Sequence, residues 1–554
     1  MMKLLHDEPG QRMLLLGNEA IVRGALEAGV GFATTYPGTP ASEIGDNFSG
    51  LAKDAGIYFE YSVNEKVALE MASAAAVSGV RALCSMKHVG LNVASDAFMT
   101  IVYTGIRAGL VVISADDPFA HSSQNEQDNR YYAKLSGAPM LEPSNAQEAL
   151  EMTREAFQIS EELKLPLLLR STTRVSHSRG VVQLGGLPKE RKSKGHFEKD
   201  PFRFVVVPAV GRARHKALLE QTAQAAKLSE SSPFNKIIGD GGLGIVTSGV
   251  SFNYVMDALD DLDAGERTSV LKLGMTHPIP TELCRRFISA VEEILVVEEL
   301  EPYLEQELKA IIADMDMDRR VKVFGKGTGH LPRLYEYAPD QVKRAIAQVL
   351  GIELEEPERL EVPPLPMRPP VLCPGCPHRA TYYAIKIATK GDAIFPTDIG
   401  CYTLGLLPPL STADFLLCMG SSVGSAGGFA RATDQKVVAF IGDSTFFHAG
   451  IPALVNAVHN RHNFLLVIVD NQTTAMTGHQ PHPGIEFSAT WDEAPAVPAE
   501  EVARGCGVEN VYVVDPFDLK ETIAAVRRAL EEEGVSVLIS RHTCPLFERR
   551  LERR

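Results

Sequence analysis

VVAFIGDSTFFHAGIPALVNAVHNRHNFLLVIVDNQTTAMTG, residues 437–478, decides the fold. Two apolar runs, Val437 to Ile441 and Phe464 to Val469, are bounded by Gly, Asp and Asn and flank a helix-forming stretch from about Ala449 to Asn460. Runs this short, rich in Val and Ile, read as strands buried on both faces. A strand, a helix and a strand in this order form two parallel strands joined by one crossover. A tight turn, Gly442-Asp443-Ser444, follows the first strand, and Asp470-Asn471 ends the second; 28 residues separate Asp443 from Asn471.

Parallel sheets bind ligands at the carboxyl ends of their strands. Asp443 and Asn471 stand at two such ends and offer oxygen ligands of the kind that hold Mg²⁺ against a diphosphate. Gly442 would let the backbone approach the phosphates. The other reading is turn chemistry, since Asp and Asn also favour strand-end turns.

Outward from this segment, residues 372–554 form one α/β unit. Residues 1–190 form another, with RMLLLG, FATTYPGTP, YFEYSV, ALCSMK, LVVISA and PLLLRS as strands between helical runs. Residues 191–235 are a charged connecting segment with one helix, GRARHKALLEQTAQAAKL. A further α/β unit occupies 236–350, and the Pro- and Glu-rich 351–371 is an extended linker. The expected class is α/β, with parallel sheets covered by helices on both faces. The 554 residues allow three or four domains at ~150 residues each. A net charge of −15 argues against nucleic-acid binding. No apolar run is long enough for a membrane span or a signal peptide, so the expected location is the cytoplasm. Eight cysteines do not make a disulfide framework.

Cys373 and Cys376 form a CxxC, and Cys401 and Cys544 lie in DIGC and RHTCPLF. Four thiolates suit a [4Fe–4S] cluster or a zinc ion, and reduced thiols are the third reading. Spacing alone does not choose among them. Glu65, at a strand-to-helix junction, reads by spacing as a first-turn acid favoured by the helix dipole. PGTP, residues 37–40, reads as a strand-breaking turn.

Taken together these segments resemble the thiamine-diphosphate-dependent 2-oxo-acid oxidoreductases, in particular the large subunit of the indolepyruvate:ferredoxin oxidoreductase family. GDS followed by DN is similar to the thiamine-diphosphate GDG and NN signature; Ser444 and Asp470 depart from it, and DN occurs in the oxidoreductase branch. The resemblance implies that Gly442, Asp443, Ser444, Asn471 and Thr473 hold the cofactor, with Asp443, Asn471 and the Thr473 carbonyl on Mg²⁺. NEKVALEMASAAAVSG resembles the segment whose Glu activates the aminopyrimidine, which gives Glu65 that role. YPGTP resembles a loop whose Thr lies by the substrate carboxylate, which gives Thr39 that role. CPGCPHR and DIGC resemble the cluster-binding motifs, implying Cys373, Cys376, Cys401 and Cys544 as ligands; His378 reads either as a cofactor-site residue or as a helix N-terminal residue. Gln127 and Arg130, in DDPFAHSSQNEQDNR, become substrate candidates, because an Arg pairs well with a carboxylate. The middle unit resembles the C-terminal domain of transketolases.

The implied reaction is the oxidative decarboxylation of an aryl 2-oxo acid. Its electrons pass to ferredoxin or a similar carrier, and coenzyme A takes the acyl group. A small beta subunit is the implied partner, around a heterotetramer or homodimer core. Family members carry a ferredoxin-like module after the last unit, and this sequence reads without one. The alternative is a non-oxidative thiamine-diphosphate decarboxylase or lyase, which needs no cluster.

Overall fold

The computed structural model describes residues 2–317, 319–355, 363–366 and 368–553. The chain divides into two compact units, residues 1–60 with 65–359, and residues 61–64 with 360–554. Of the expected linker, residues 356–362 and 367 lie outside the described residues. Among the described residues no helix is long and apolar enough to cross a membrane.

The first unit holds a seven-stranded sheet. Its central strands Phe32–Thr35, Ala82–Lys87, Leu110–Asp116 and Leu167–Thr172 pair in parallel. Leu110–Asp116 is buried along its whole length, as a strand covered on both faces must be. The short strand Met275–His277 joins the same sheet, antiparallel to Met140–Leu141. The apolar run near the N-terminus takes another course. Arg12–Leu16 pairs antiparallel with Arg179–Gln183 in a separate two-stranded sheet and leaves Leu14 54% exposed. A five-stranded sheet built on Leu243–Ser248, Thr268–Leu273 and Glu293–Val297 completes this unit. The connecting helix runs Pro208–Glu230.

The second unit is built on four parallel strands in the order Val438–Gly442, Phe464–Asp470, Val535–Arg541, Asn510–Val514. Period-2 geometry sends alternate residues to opposite faces. Ala439, Ile441, Leu466, Ile468, Val537 and Ile539 fill one core. Val438, Phe440, Leu465, Val467, Val469 and Leu538 fill the other. In the register of the first pair Gly442 lies opposite Val469, so Asp443 and Asn471 leave adjacent strands at the same edge.

The turn and later helix expected after Gly442 are instead one helical run. Asp443–Thr445 is α-helical, Phe446–Gly450 is a π turn, and Ile451–His459 is α-helical again. Pro452 gives the reason. It has no N–H for the carbonyl four residues back, and the helix widens there. That carbonyl, of His448, accepts instead from Asn64 Nδ2 at 3.0 Å, within the same unit.

Candidate cofactor site

At the edge of the second unit's sheet three oxygens converge. Asn471 Oδ1 lies 2.7 Å from the Thr473 carbonyl oxygen and 3.3 Å from Asp443 Oδ2. The Thr473 N–H donates to Asp443 Oδ2 and to Asn471 Oδ1, each at 3.3 Å. In this orientation of the amide Asn471 Oδ1 and the Thr473 carbonyl are two acceptors face to face; turned over, the amide NH₂ would donate to the Thr473 carbonyl at 2.7 Å and to Asp443 Oδ2 at 3.3 Å. Mg²⁺ with oxygens at 2.0–2.1 Å in an octahedron spaces neighbouring ligands about 2.9 Å apart. The corner therefore fits that ion and needs a cation, or a turned amide, to be satisfied. All three residues are buried.

Two histidines frame the corner. His482 Nε2 stands 3.1 Å from Asp443 Oδ2. Burial raises the Asp443 pKa, but His482 and the Ser444 N–H at 2.8 Å outweigh it and hold the carboxyl below its usual value. His378 Nε2 lies 3.2 Å from Asn471 Nδ2, and burial pushes its pKa down to about 4, against the pull of Asp443. Gly442 has a reason the sequence hid. A Cβ there would meet the Tyr402 ring at 2.6 Å, and Tyr402 packs its hydroxyl 3.0 Å from the Ile399 carbonyl. Ser444 is buried directly behind Asp443.

Cys373, Cys376, Cys401 and Cys544 line one cavity, whose wall also carries His378 and Asn471. Cys373-Pro374-Gly375-Cys376 is a turn with Gly375 at φ +75° and the Cys376 N–H donating to the Cys373 carbonyl at 3.1 Å. Pro then Gly at its centre is the type II pattern, which folds the two thiols to one side. Cys376 and Cys544 are both N-caps of helices with Pro in the first turn. Helix N-termini favour negative charge. Burial still pushes Cys376 up to about 11, opposed by the His378 and Arg379 amides, and Cys401 up to about 12, reinforced by the other cysteines. Among the described residues no group of three or more His, Cys, Asp or Glu side chains could hold a metal ion. A zinc ion needs its sulfurs about 2.3 Å away on every side. A cubane gives each cysteine its own iron and so spreads the four apart.

In the first unit Glu65 opens the helix Glu65–Val77 and is 6% exposed. Its carboxylate lies on Gly90 of the neighbouring helix His88–Thr104. Thr39 is half-buried in its loop. A Cβ on Gly38 would stand 2.9 Å from Lys87 Cβ, so this loop rests on the Lys87 stem. Burial lowers Lys87 to about 8, against the pull of Asp117.

Arg130, expected as a substrate contact, is otherwise engaged. Its Nη1 donates to Glu298 at 2.5 Å, its Nε and Nη2 to Asp128, and Nη2 also to the Glu299 and Glu301 carbonyls. The residue is 1% exposed, and this bonding leaves no open fork for a carboxylate. Gln127 exchanges hydrogen bonds with Asn92 at 2.8 Å in both directions. Sequence reasoning missed His482, Lys87, Tyr402 and Gly90. A buried-looking His in PHPG and a Lys-His pair closing a strand were the only signals available.

Comparison with known proteins bears on the whole chain. Residues 398–540 match the C-terminal thiamine pyrophosphate-binding domain of thiamine pyrophosphate enzymes. Residues 23–227 match the thiamine diphosphate-binding domain of pyruvate flavodoxin/ferredoxin oxidoreductases, and residues 235–330 match the indolepyruvate ferredoxin oxidoreductase middle domain. The chain is 55% identical, over 97% of its length and 88% of the relative's, to indolepyruvate oxidoreductase subunit IorA of Methanothermobacter marburgensis. It is 45% identical to the protein of that name in Archaeoglobus fulgidus, over 100% of this chain and 89% of the relative. Among solved structures, the 2-oxoglutarate:ferredoxin oxidoreductase of Magnetococcus marinus aligns at 13% identity with a TM-score of 0.45. That match covers 61% of this chain and 65% of the other.

Proposed function

Since the chain belongs to the indolepyruvate oxidoreductase subunit IorA family, an enzyme family with thiamine diphosphate-binding domains, we propose that it oxidatively decarboxylates an aryl 2-oxo acid such as indolepyruvate. Coenzyme A takes the acyl group. A [4Fe–4S] cluster held by Cys373, Cys376, Cys401 and Cys544 would supply the exit for electrons to ferredoxin or a similar carrier. A small beta subunit completes the enzyme, around a heterotetramer or homodimer core in the cytoplasm.

The observation that carries the oxidative reading is the shared cavity wall. Four cysteines from three separated stretches meet at one cavity with Asn471, which is itself part of the oxygen corner. A non-oxidative decarboxylase has no use for that arrangement.

When bound, thiamine diphosphate supplies the electron sink for decarboxylation. The chain's own residues bind and orient. Asp443, Asn471 and the Thr473 carbonyl would hold Mg²⁺, with Gly442 and Ser444 beside the cofactor. Glu65, buried at the start of its helix, would accept a hydrogen bond from the aminopyrimidine. Thr39 donates its hydroxyl to the substrate carboxylate. Lys87, beneath the same loop, supplies the cation first sought at Arg130. Gln127 orders the neighbouring loop through Asn92.

The test is an absorbance spectrum and iron assay on anaerobically purified protein. A band near ~400 nm with about four irons per chain, bleached on adding indolepyruvate and coenzyme A, is expected. A colourless, iron-free protein that releases CO₂ without an electron acceptor would establish the lyase instead.

A further inference from the structure

Of the three oxygens in the corner, only one can be exchanged for a nitrogen without moving an atom. A carboxylate and a backbone carbonyl present oxygen whichever way they turn, whereas the Asn471 amide presents oxygen one way and NH₂ the other. Both orientations have partners. With Oδ1 inward, Nδ2 faces His378 Nε2 at 3.2 Å. Turned over, the inward NH₂ would donate to the Thr473 carbonyl at 2.7 Å and to Asp443 Oδ2 at 3.3 Å, and Oδ1 would accept from His378 Nε2 at 3.2 Å. The second state closes the corner with protons and turns the amide oxygen away from a cation. The first state keeps it open to one.

Which state forms depends on what His378 offers the outer end of the amide. A lone pair on Nε2 takes the NH₂ and turns oxygen inward, whereas an Nε2–H takes the oxygen and turns NH₂ inward. His378 cannot swing away. It lies in the first turn of the helix capped by Cys376, is 3% exposed, and meets the Tyr402 ring edge-on at 6.0 Å. We propose that His378 is a positioning residue that presets the metal corner, accepting a hydrogen bond at Nε2 from Asn471 Nδ2 so that the amide oxygen faces Asp443 and Thr473. This rests on the Mg²⁺ reading of the corner given above.

The test is a double-mutant cycle read as Mg²⁺ affinity, by calorimetry on the full chain saturated with thiamine diphosphate and stripped of metal. Partners that orient metal ligands change affinity about 10–100-fold, so His378→Leu should weaken Mg²⁺ at least about tenfold. His378→Gln, whose Oε1 can accept the same hydrogen bond, should restore most of it. In the Asn471→Asp background both ends of the side chain are oxygens and orientation no longer matters. There His378→Leu should cost less than about twofold. Iron content unchanged by His378→Leu would show the cavity intact. Equal losses in both backgrounds would make His378 merely structural, and no loss in either would remove its role; each overturns the proposal. Wild-type protein that binds thiamine diphosphate equally with and without Mg²⁺ would instead remove the metal corner, which separates that failure from this one.

Discussion

The carboxylate of Glu65 lies directly on the Cα of Gly90. A Cβ on residue 90 would stand 2.5 Å from Glu65 Oε1 and 2.9 Å from its Cδ, closer than real Cβ atoms approach anything. Gly90 sits within the helix His88–Thr104, where Ala would otherwise be the better helix former.

Gly90→Ala should therefore act as a displaced Glu65. The expected outcome is a fall in turnover of at least about 100-fold, the lower range for losing a positioned proton-transfer group, matched by Glu65→Gln. Circular dichroism should show both variants folded. Full turnover in either one would separate Glu65 from the chemistry.

Asp443→Ala removes the one formal charge from the oxygen corner. Loss of a partner behind a ligand already costs about 10–100-fold in metal affinity, and loss of a ligand should cost at least as much. Titrating Mg²⁺ into protein with thiamine diphosphate measures it; unchanged affinity would clear Asp443 of metal binding.

Cys373→Ser and Cys544→Ser come from opposite ends of the second unit but line the same cavity. Each should lower iron content and bleach the band near ~400 nm. If one variant keeps the full spectrum, that cysteine is not a ligand and the cavity is not a four-cysteine site.

If Lys87, whose Nζ donates to the Ser122 carbonyl, pairs with the substrate carboxylate, the reaction should show a falling limb in pH. Burial lowers its pKa to about 8, so it is cationic below that value and neutral above it. A cation that pairs with the substrate carboxylate binds it only in the charged form. The profile of kcat/KM should therefore decline as pH rises through about 8. Lys87→Met should raise KM and flatten that limb; a limb that persists belongs to another group.

Arg130 should behave as a structural residue. It joins Asp128 and Glu298, all about 1% exposed, and Asp128 is held down to about 2 by Arg130 and Arg170 against the effect of burial. Arg130→Met would leave two carboxylates buried without it, at a cost of about 3–5 kcal/mol. Thermal unfolding should fall sharply, whereas a normal melt with a raised KM would return Arg130 to the substrate.

Local rules made much of this chain legible. Val438–Gly442 is apolar throughout, and Phe464–Asp470 up to its last residue, because both their faces are covered. The residues that follow such strands reach the binding edge of a parallel sheet, so Asp443 and Asn471 were in view from spacing alone. Misreadings arose where one residue answered to distant chain. The run RMLLLG is apolar enough for a central strand, yet Arg12–Leu16 pairs with Arg179–Gln183 outside the main sheet. The helix after Gly442 widens around Pro452, whose effect on the turns before it the expected boundary overlooked.

The sequence by itself determined the α/β class, the strand ends and the side-chain types set there, because backbone period and turn chemistry act within a few residues. Only the tertiary structure decided what each of those groups meets. It brought His482 to Asp443, His378 to Asn471, Gly90 to Glu65 and Lys87 beneath the Thr39 loop, and it closed Arg130 into an ion-pair cluster. Apart from Arg130 and Asp128, two residues apart, those partners lie 25 to 168 residues apart in the chain. Nothing local in the sequence encodes such pairings; they follow from which helices pack on which strands, and packing is a property of the whole fold.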